Sequence, residues 1–145
     1  MTKLTLLACL TSTIFMTGLI WFVHVVHYPL FDRVGVEAFR RYHAYHTRTT
    51  GSVVVVPMLL ELVTSIALVA QRPTGSEPWM VWLGLGLALV SWGSTFLLSV
   101  PCHQQLSLGF DPRIHQSLVA TNGIRVVSWT AHSAILLWMT SRALR

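Results

Sequence analysis

Charged side chains are scarce in this chain, since only 10% of its 145 residues are charged while 53% are hydrophobic. That balance is too apolar for a soluble domain of this size. Cysteine is also rare, and Cys9 and Cys102 are predicted to lie near opposite ends of a helical bundle, which excludes a disulfide between them. No C-x-x-C-H sequence is present, which excludes covalently attached haem. The absence of a Ser or Cys nucleophile motif likewise argues against a soluble-type hydrolase.

The long apolar runs predict an all-α protein that spans a membrane. A helix needs about 20 residues to cross about 30 Å of hydrocarbon. Four stretches meet that length: Leu4–Val23, Gly51–Ala70, Trp79–Leu98 and Thr121–Thr140. Because no long polar segment is left over, we predict a single domain, residues 1–145, that forms a four-transmembrane-helix bundle. The first apolar run continues to Val26, longer than that of a signal peptide, which predicts a retained first helix.

Six of the seven histidines are predicted to gather at one face of this bundle. In an up-and-down bundle, the end of helix 1, the start of helix 2, the end of helix 3 and the start of helix 4 share one side. The six histidines flank those ends: His24, His27, His43, His46, His103 and His115. His132 lies apart, deep in helix 4, where we interpret it as a hydrogen-bonded core histidine. Imidazoles gathered at one depth from different helices are typical of a multinuclear metal site.

Spacing within this layer adds a second signal. The sequence contains two H-x-x-H pairs, His24 with His27 and His43 with His46. Residues three apart share one helix face, so each pair would share or bridge metal ions. The segment Val36–Arg48 is predicted to be a short amphipathic helix preceding helix 2, with its histidines inward and its arginines toward lipid headgroups. The alternative is that interfacial histidines only hydrogen-bond to headgroups, but two pairs together with His103 favour metal ligation.

Helices 2 and 4 carry polar residues in predicted membrane spans. Glu61 lies near the middle of helix 2, and two roles stay open for it: a carboxylate ligand of the metal, or an ion-pair partner of Arg125. Asn122 and Arg125 lie on one stripe of helix 4 and must face the bundle interior or water. They would orient a substrate or a metal ligand, and Arg125 would hold a substrate carboxylate. His115 would be a ligand or would hydrogen-bond to one.

Two further features concern the histidine layer. Asp111 followed by Pro112 predicts the start of helix 4, with Asp as the N-cap. Tyr42 either anchors the membrane interface or lines a pocket for an aromatic or lipidic substrate.

The ligand types indicate a transition metal. A His-dominated set with one or two carboxylates suits iron, copper, zinc or manganese and argues against magnesium or calcium. Histidine clusters carried on helix ends at one membrane face resemble those of membrane non-haem di-iron oxygenases, such as fatty-acid desaturases and alkane hydroxylases. That resemblance implies two or three non-haem iron ions that activate O2. It is a resemblance of layout, because those families have H-x-x-x-H and H-x-x-H-H boxes on longer chains and this chain lacks them.

A second resemblance covers nearly the whole chain. Its elements are H-V-V-H-Y-P at His24–Pro29, Y-H-A-Y-H at Tyr42–His46 and T-N-G-I-R at Thr121–Arg125. They resemble those of a family of small bacterial four-helix integral-membrane proteins without an assigned activity. The resemblance implies a shared four-helix fold.

The sequence thus favours a membrane-bound non-haem iron oxygenase or oxidase that acts on a small or lipophilic organic substrate. His24, His27, His43, His46, His103 and Glu61 are the predicted metal ligands. Copper or zinc in place of iron is an alternative. So is a b-type haem between His24 and His103 for electron transfer, although haem leaves the H-x-x-H pairs unexplained. A metal-ion carrier or sensor is a third class, with Asn122, Arg125 and His132 along its path.

The expected partners and location follow from charge. The net charge of +5 indicates contact with anionic membrane lipid rather than nucleic acid. O2, an organic substrate, an electron donor and a second copy of the chain are further candidate partners. We expect the cytoplasmic membrane of a bacterium, with the histidine face cytoplasmic because five arginines lie there against four basic residues opposite.

Overall fold

The structure, a computed structural model, describes residues 2–143. Met1, Leu144 and Arg145 lie outside the described residues, and Arg145 is one of the basic residues counted opposite the histidines. The described part is helical apart from short connections and holds no strand, which confirms the all-α prediction. The α-helices are α1 (Thr2–Phe22), α2 (Val36–Ala70), α3 (Pro78–Ser94), α4 (Val100–Leu106) and α5 (Pro112–Ala143).

Shorter helical segments extend these helices into four long rods. A π-helix, Val23–His27, and a 3-10 helix, Pro29–Arg33, continue α1, and a second π-helix, Thr95–Ser99, joins α3 to α4. A π-helix is a wider turn with i→i+5 hydrogen bonds, and single turns of this kind are frequent at functional sites. Both π-helices lie at the histidine-bearing end of their rods.

The helix α2 runs unbroken for 35 residues, so the prediction of a separate short helix before helix 2 is wrong. Hydroxyl groups around the expected boundary bond back to the preceding turn, as the Thr47 hydroxyl does to the His43 carbonyl at 3.1 Å. Such local bonds let polar side chains stay inside a continuous helix. The helix begins after Gly35, whose φ of 79° is a conformation that glycine adopts without strain.

The predicted start of α5 is confirmed by its hydrogen bonds. The Asp111 carboxylate accepts the backbone N–H of Arg113 at 2.8 Å and that of Ile114 at 3.3 Å, while Pro112 opens the helix. This is the expected geometry of an Asp N-cap followed by Pro.

The rods pack as a ring of four, each beside the next along the chain. The helix α1 contacts α2 and α5, and α3 contacts α2 and α5. Because neighbouring rods run in opposite directions, the end of rod 1, the start of α2, the end of α4 and the start of α5 meet at one end of the bundle. That end carries the six histidines.

The bundle buries many polar side chains within its core and exposes many apolar ones. The side of α5 that faces the bundle buries Asn122, Arg125 and His132, which are 0%, 7% and 1% exposed. Its outer side carries Val127 and Trp138, which are 68% and 57% exposed. Polar groups inside and apolar groups outside suit a lipid surround.

Three of the rods, Thr2–Arg33, Val36–Ala70 and Pro78–Leu106, are long and apolar enough to cross a membrane. Within residues 2–143, α5 is not among them, so four such spans are not confirmed. The buried polar side chains of α5 lower its average hydropathy, although its outer surface is apolar.

Candidate metal centre

Four imidazole rings form a connected group at the histidine-bearing end of the bundle, each in contact with at least one of the others. This imidazole cluster consists of His27, His43, His46 and His103. His27 Nε2 lies 2.7 Å from His46 Nδ1, and His43 Nε2 lies 3.0 Å from His103 Nδ1. The two pairs adjoin, since the ring centroids of His46 and His103 are 5.4 Å apart. The cluster therefore joins side chains from three rods.

The π-helix Val23–His27 determines which of its histidines joins the cluster. Its defining bond runs from the Tyr28 N–H to the Val23 carbonyl at 2.9 Å. A π-helix has more residues per turn than an α-helix, so three residues cover a smaller part of a turn. His24 and His27 therefore no longer share a face of the helix. His27 enters the cluster, whereas the structure places no other histidine ring in contact with His24. His24 is half-buried, and its Nδ1 is buried without a hydrogen-bond partner among the described residues.

Tyr28 connects the cluster to the polar residues of α5. Its hydroxyl lies 3.0 Å from His103 Nε2 and accepts a hydrogen bond from Arg125 Nη2 at 3.3 Å. Its backbone carbonyl accepts a bond from His115 Nε2 at 2.7 Å. His115 does not reach the cluster by hydrogen bonding; it holds Tyr28 and packs against Phe31, with ring centroids 6.1 Å apart. Sequence reasoning missed Tyr28 as a site residue, although it directly follows His27.

Phe31 fills the space beneath the imidazoles. Its ring meets those of His27, His43 and His46 nearly edge-on, with centroid distances of 5.6, 5.8 and 5.0 Å. It is 1% exposed, so it walls off that side of the cluster from solvent. Tyr42, predicted to bind substrate, packs on Phe31 at 5.8 Å and on His27 at 6.5 Å, and does not line the cavity described next.

A cavity of about 400 Å³ lies beside the cluster, in the size range of small-molecule sites. Histidine rings bound it on one side, from His43, His46 and His103. Most of the remaining wall area is apolar, and Arg125 adds a charged group from α5. Hydroxyl and amide side chains also line the cavity, from Thr47, Thr50, Thr95, Ser99, Gln104 and Ser107. No Asp or Glu of the described chain lines it.

Arg125 is buried beside this cavity without an anionic partner. It donates from Nη2 to the Asn122 side-chain oxygen and to the Tyr28 hydroxyl. Its Nε is buried and has no hydrogen-bond acceptor, and no carboxylate of residues 2–143 forms a salt bridge with it. The predicted alternative of an ion pair between Glu61 and Arg125 is therefore wrong.

Glu61 instead belongs to a second polar group deeper in the bundle. One carboxylate oxygen accepts from His132 Nδ1 at 2.8 Å and the other from Trp129 Nε1 at 2.8 Å. Thr13 adds a longer bond at 3.4 Å. Glu61 and His132 are 0% and 1% exposed, so the core histidine inferred from the sequence has a carboxylate partner that was not foreseen. Glu61 accepts these three hydrogen bonds and lies outside the cavity lining.

The cluster offers nitrogen ligands in two pairs rather than one converged shell. Within the described residues, no group of three or more His, Cys, Asp or Glu side chains is placed to hold one metal ion. Yet the spacing within each pair suits neighbouring ligands of a metal ion, because nitrogens about 2.1 Å from a six-coordinate ion lie about 3.0 Å apart. The Tyr28 hydroxyl on His103 Nε2 is the kind of outer hydrogen bond that orients a metal-binding imidazole. The donor set thus fits a late transition metal in chemistry, pair by pair.

No family model, curated protein or solved structure matches this chain. The function must therefore be argued from the site itself.

Proposed function

We propose that this protein is an integral membrane oxidoreductase that binds non-haem iron at the imidazole cluster and uses O2 to oxidise a small lipophilic organic molecule. The observation that carries the proposal is the position of four connected imidazoles beside a largely apolar cavity. Several neutral imidazoles side by side are a suitable ligand set for a divalent transition metal. The cavity places an apolar substrate within reach of that set.

The proposal includes four membrane crossings rather than three. The rod formed by α5 is as long as its neighbours, and its Asn122, Arg125 and His132 are shielded by the other three rods. A helix whose polar side chains all face the bundle interior can lie in lipid despite a low average hydropathy. We place the protein in a bacterial cytoplasmic membrane with the histidine end cytoplasmic, where exposed Arg40 and Arg41 would meet anionic headgroups.

The geometry favours non-haem metal over haem b. Two imidazoles on opposite sides of a haem iron, each about 2 Å from the metal, would be about 4 Å apart with the macrocycle between them. The contacting pairs here are separated by 2.7 and 3.0 Å, and within residues 2–143 neither pair includes His24. Copper and zinc also bind imidazole, so elemental composition rather than geometry identifies the metal.

The chain's own groups would prepare the cavity for this chemistry. When bound, iron supplies O2 activation, which no side chain provides. Phe31 excludes water from one side of the imidazoles, and Tyr28 holds His103 in one ring orientation. Glu61 is not a ligand in this proposal, because it lies outside the lining of the cavity beside the imidazoles and accepts hydrogen bonds from His132 and Trp129 instead.

Metal content of the purified protein tests the proposal. We expect iron in the wild-type protein, no Soret band in its optical spectrum, and at least about tenfold less metal after His46→Ala or His103→Ala, since each removes a ligand nitrogen. Elemental analysis by mass spectrometry on protein purified in lipid nanodiscs gives the readout, with circular dichroism to check helicity.

His24→Ala is the matched control, because His24 lies on the same rod as His27 but outside the imidazole cluster. It should keep its metal. Loss of metal in His24→Ala with retention in His46→Ala would show that the site is misplaced. A metal-free wild-type protein, or a Soret band, would overturn the proposal.

A further inference from the structure

We propose that the cavity binds a lipophilic carboxylate, whose anionic head is held by Arg125 and whose apolar body lies along α1 and α2. This names the substrate class for the function proposed above and rests on it. The substrate would be a medium-chain fatty acid or an acid of similar size.

Arg125 carries a buried positive charge without a carboxylate partner within residues 2–143. A buried charge is strongly destabilising unless it is paired and hydrogen-bonded. The guanidinium has five N–H donors, but the described chain gives it only two acceptors, both neutral oxygens, at Asn122 and Tyr28. Its Nε has none. A carboxylate fits the planar fork of the guanidinium with two parallel bonds and supplies the missing charge.

The cavity as a whole carries positive charge, since Arg125 lines it. The imidazoles are neutral when they bind a metal, so the ion would add positive charge to that of Arg125. No Asp or Glu within residues 2–143 lines the cavity to balance either charge. An anionic ligand would offset both, so metal and carboxylate should each strengthen the binding of the other.

The remaining walls of the cavity are apolar over most of their area. The cavity of about 400 Å³ is lined on the side of α1 and α2 by the hydroxyl groups of Thr47 and Thr50 and by five apolar side chains, Met16, Leu19, Ile20, Val54 and Met58. The five apolar side chains would contact a hydrocarbon body.

The position of the head relative to the imidazoles fixes which end of the ligand lies near the metal. Arg125 Nη2 and His103 Nε2 both lie within 3.3 Å of one atom, the Tyr28 hydroxyl oxygen. A carboxylate on Arg125 is therefore next to the imidazole cluster. The carbons closest to the carboxylate, rather than the far end of the chain, would be exposed to oxidation.

The test compares decanoate with decanol, which have the same chain length and differ in the charged head. Isothermal titration would use protein in nanodiscs of zwitterionic phosphatidylcholine, with protein-free nanodiscs as the blank. We expect wild-type protein to bind decanoate at least about tenfold more tightly than decanol, the effect of a charge-assisted hydrogen-bonded pair. Arg125→Gln should remove that preference and leave decanol binding unchanged.

Arg113→Gln is the matched control, since Arg113 is exposed on the same helix near the same end of the bundle. It should behave as wild type. The wild-type comparison keeps the proposal testable if Arg125→Gln does not fold. Equal binding of decanoate and decanol, an equal loss in Arg113→Gln, or displacement of decanoate by phosphatidylglycerol would overturn it.

Metal content measured on the same sample separates this proposal from the one on which it rests. Arg125-dependent binding of decanoate to metal-free protein would support the carboxylate site and refute the oxidoreductase. Metal-loaded protein without a preference for decanoate would overturn the carboxylate site alone.

Discussion

At the scale of single residues, Tyr28 connects groups that the sequence lists far apart. Its hydroxyl meets His103 and Arg125, and its carbonyl meets His115. One residue therefore contacts the imidazole cluster and the unpaired guanidinium through its side chain, and the start of α5 through its backbone. Hydrogen bonds to the far nitrogen of a metal-binding imidazole fix the ring and tune its basicity.

Removal of this hydroxyl should weaken metal binding without unfolding the protein. Tyr28→Phe keeps the ring and its packing on Phe31 but leaves His103 Nε2 and Arg125 without a shared partner. We expect metal affinity to fall about 10- to 100-fold, the usual effect of losing an outer hydrogen bond. A competitive titration with a metal chelator measures this.

Tyr45→Phe removes the same hydroxyl from a side chain that is 71% exposed. Metal affinity in this control should equal that of the wild type. An unchanged affinity in Tyr28→Phe would show that Tyr28 does not orient a ligand.

The sequence indicated much of the cluster but not its partners. Placing His27, His43, His46 and His103 at one end required only the order of the helices, which length and hydropathy reveal. The partner of His132 is different, because Glu61 lies on another helix and the pairing depends on rotation and depth. A single sequence contains no direct record of either.

At the scale of helices, the π-helices decide which side chains reach the site. If the same residues formed a regular α-helix instead of the wider turn Val23–His27, every later residue of that rod would be rotated by about 100° relative to α1. Tyr28 and Phe31 would then leave the bundle interior. The H-x-x-H spacing implied that His24 and His27 share a face because it assumed a regular α-helix. Nothing in residue composition separates an i→i+5 turn from an α-turn, so this feature could not be predicted.

Deletion of one residue inside the π-helix should be tolerated. Removing Val25, which is 61% exposed, would turn the bond between Tyr28 and Val23 into an ordinary α-helical one while Tyr28 keeps its direction. We expect such a protein to retain its metal content and melting temperature. Elemental analysis and a thermal melt followed by circular dichroism measure both.

Deletion of Phe15 is the comparison, because this residue is 49% exposed on the same rod but lies in regular α-helix. It should rotate the rest of the rod by about 100° and abolish metal binding. Loss of metal in both deletions would mean that metal binding needs the π-helix itself, and not only the direction in which the later side chains of the rod point.

At the scale of the whole molecule, the ring of four rods encloses its polar side chains and exposes apolar ones. Exposed Val56 and Leu97, at 69% and 75%, would be a liability in water and are ordinary in lipid. The proposed four crossings place the connection before α5 on the histidine side and the end of α5 on the opposite side.

Chemical labelling of single introduced cysteines checks this topology. Leu108→Cys, before α5, should react with a membrane-impermeant maleimide from one side only, and Ser141→Cys, near the end of α5, from the other side only. Thr74→Cys should react with the maleimide from the same side as Ser141→Cys. The wild-type protein reports background labelling of Cys9 and Cys102. If Leu108→Cys and Ser141→Cys label from the same side, α5 does not cross.

The polarity of α5 has a consequence for how the protein is made. A central arginine in a single helix opposes insertion by about 2.5–3.5 kcal/mol on the scale measured for the translocation machinery, and α5 carries Asn122 and His132 as well. Arg125 and His132 have partners on the earlier rods, Tyr28 and Glu61. The helix that depends on the others follows them along the chain. In the proposed topology of four crossings, synthesis from the N-terminus therefore delivers α5 after the three helices that carry these partners.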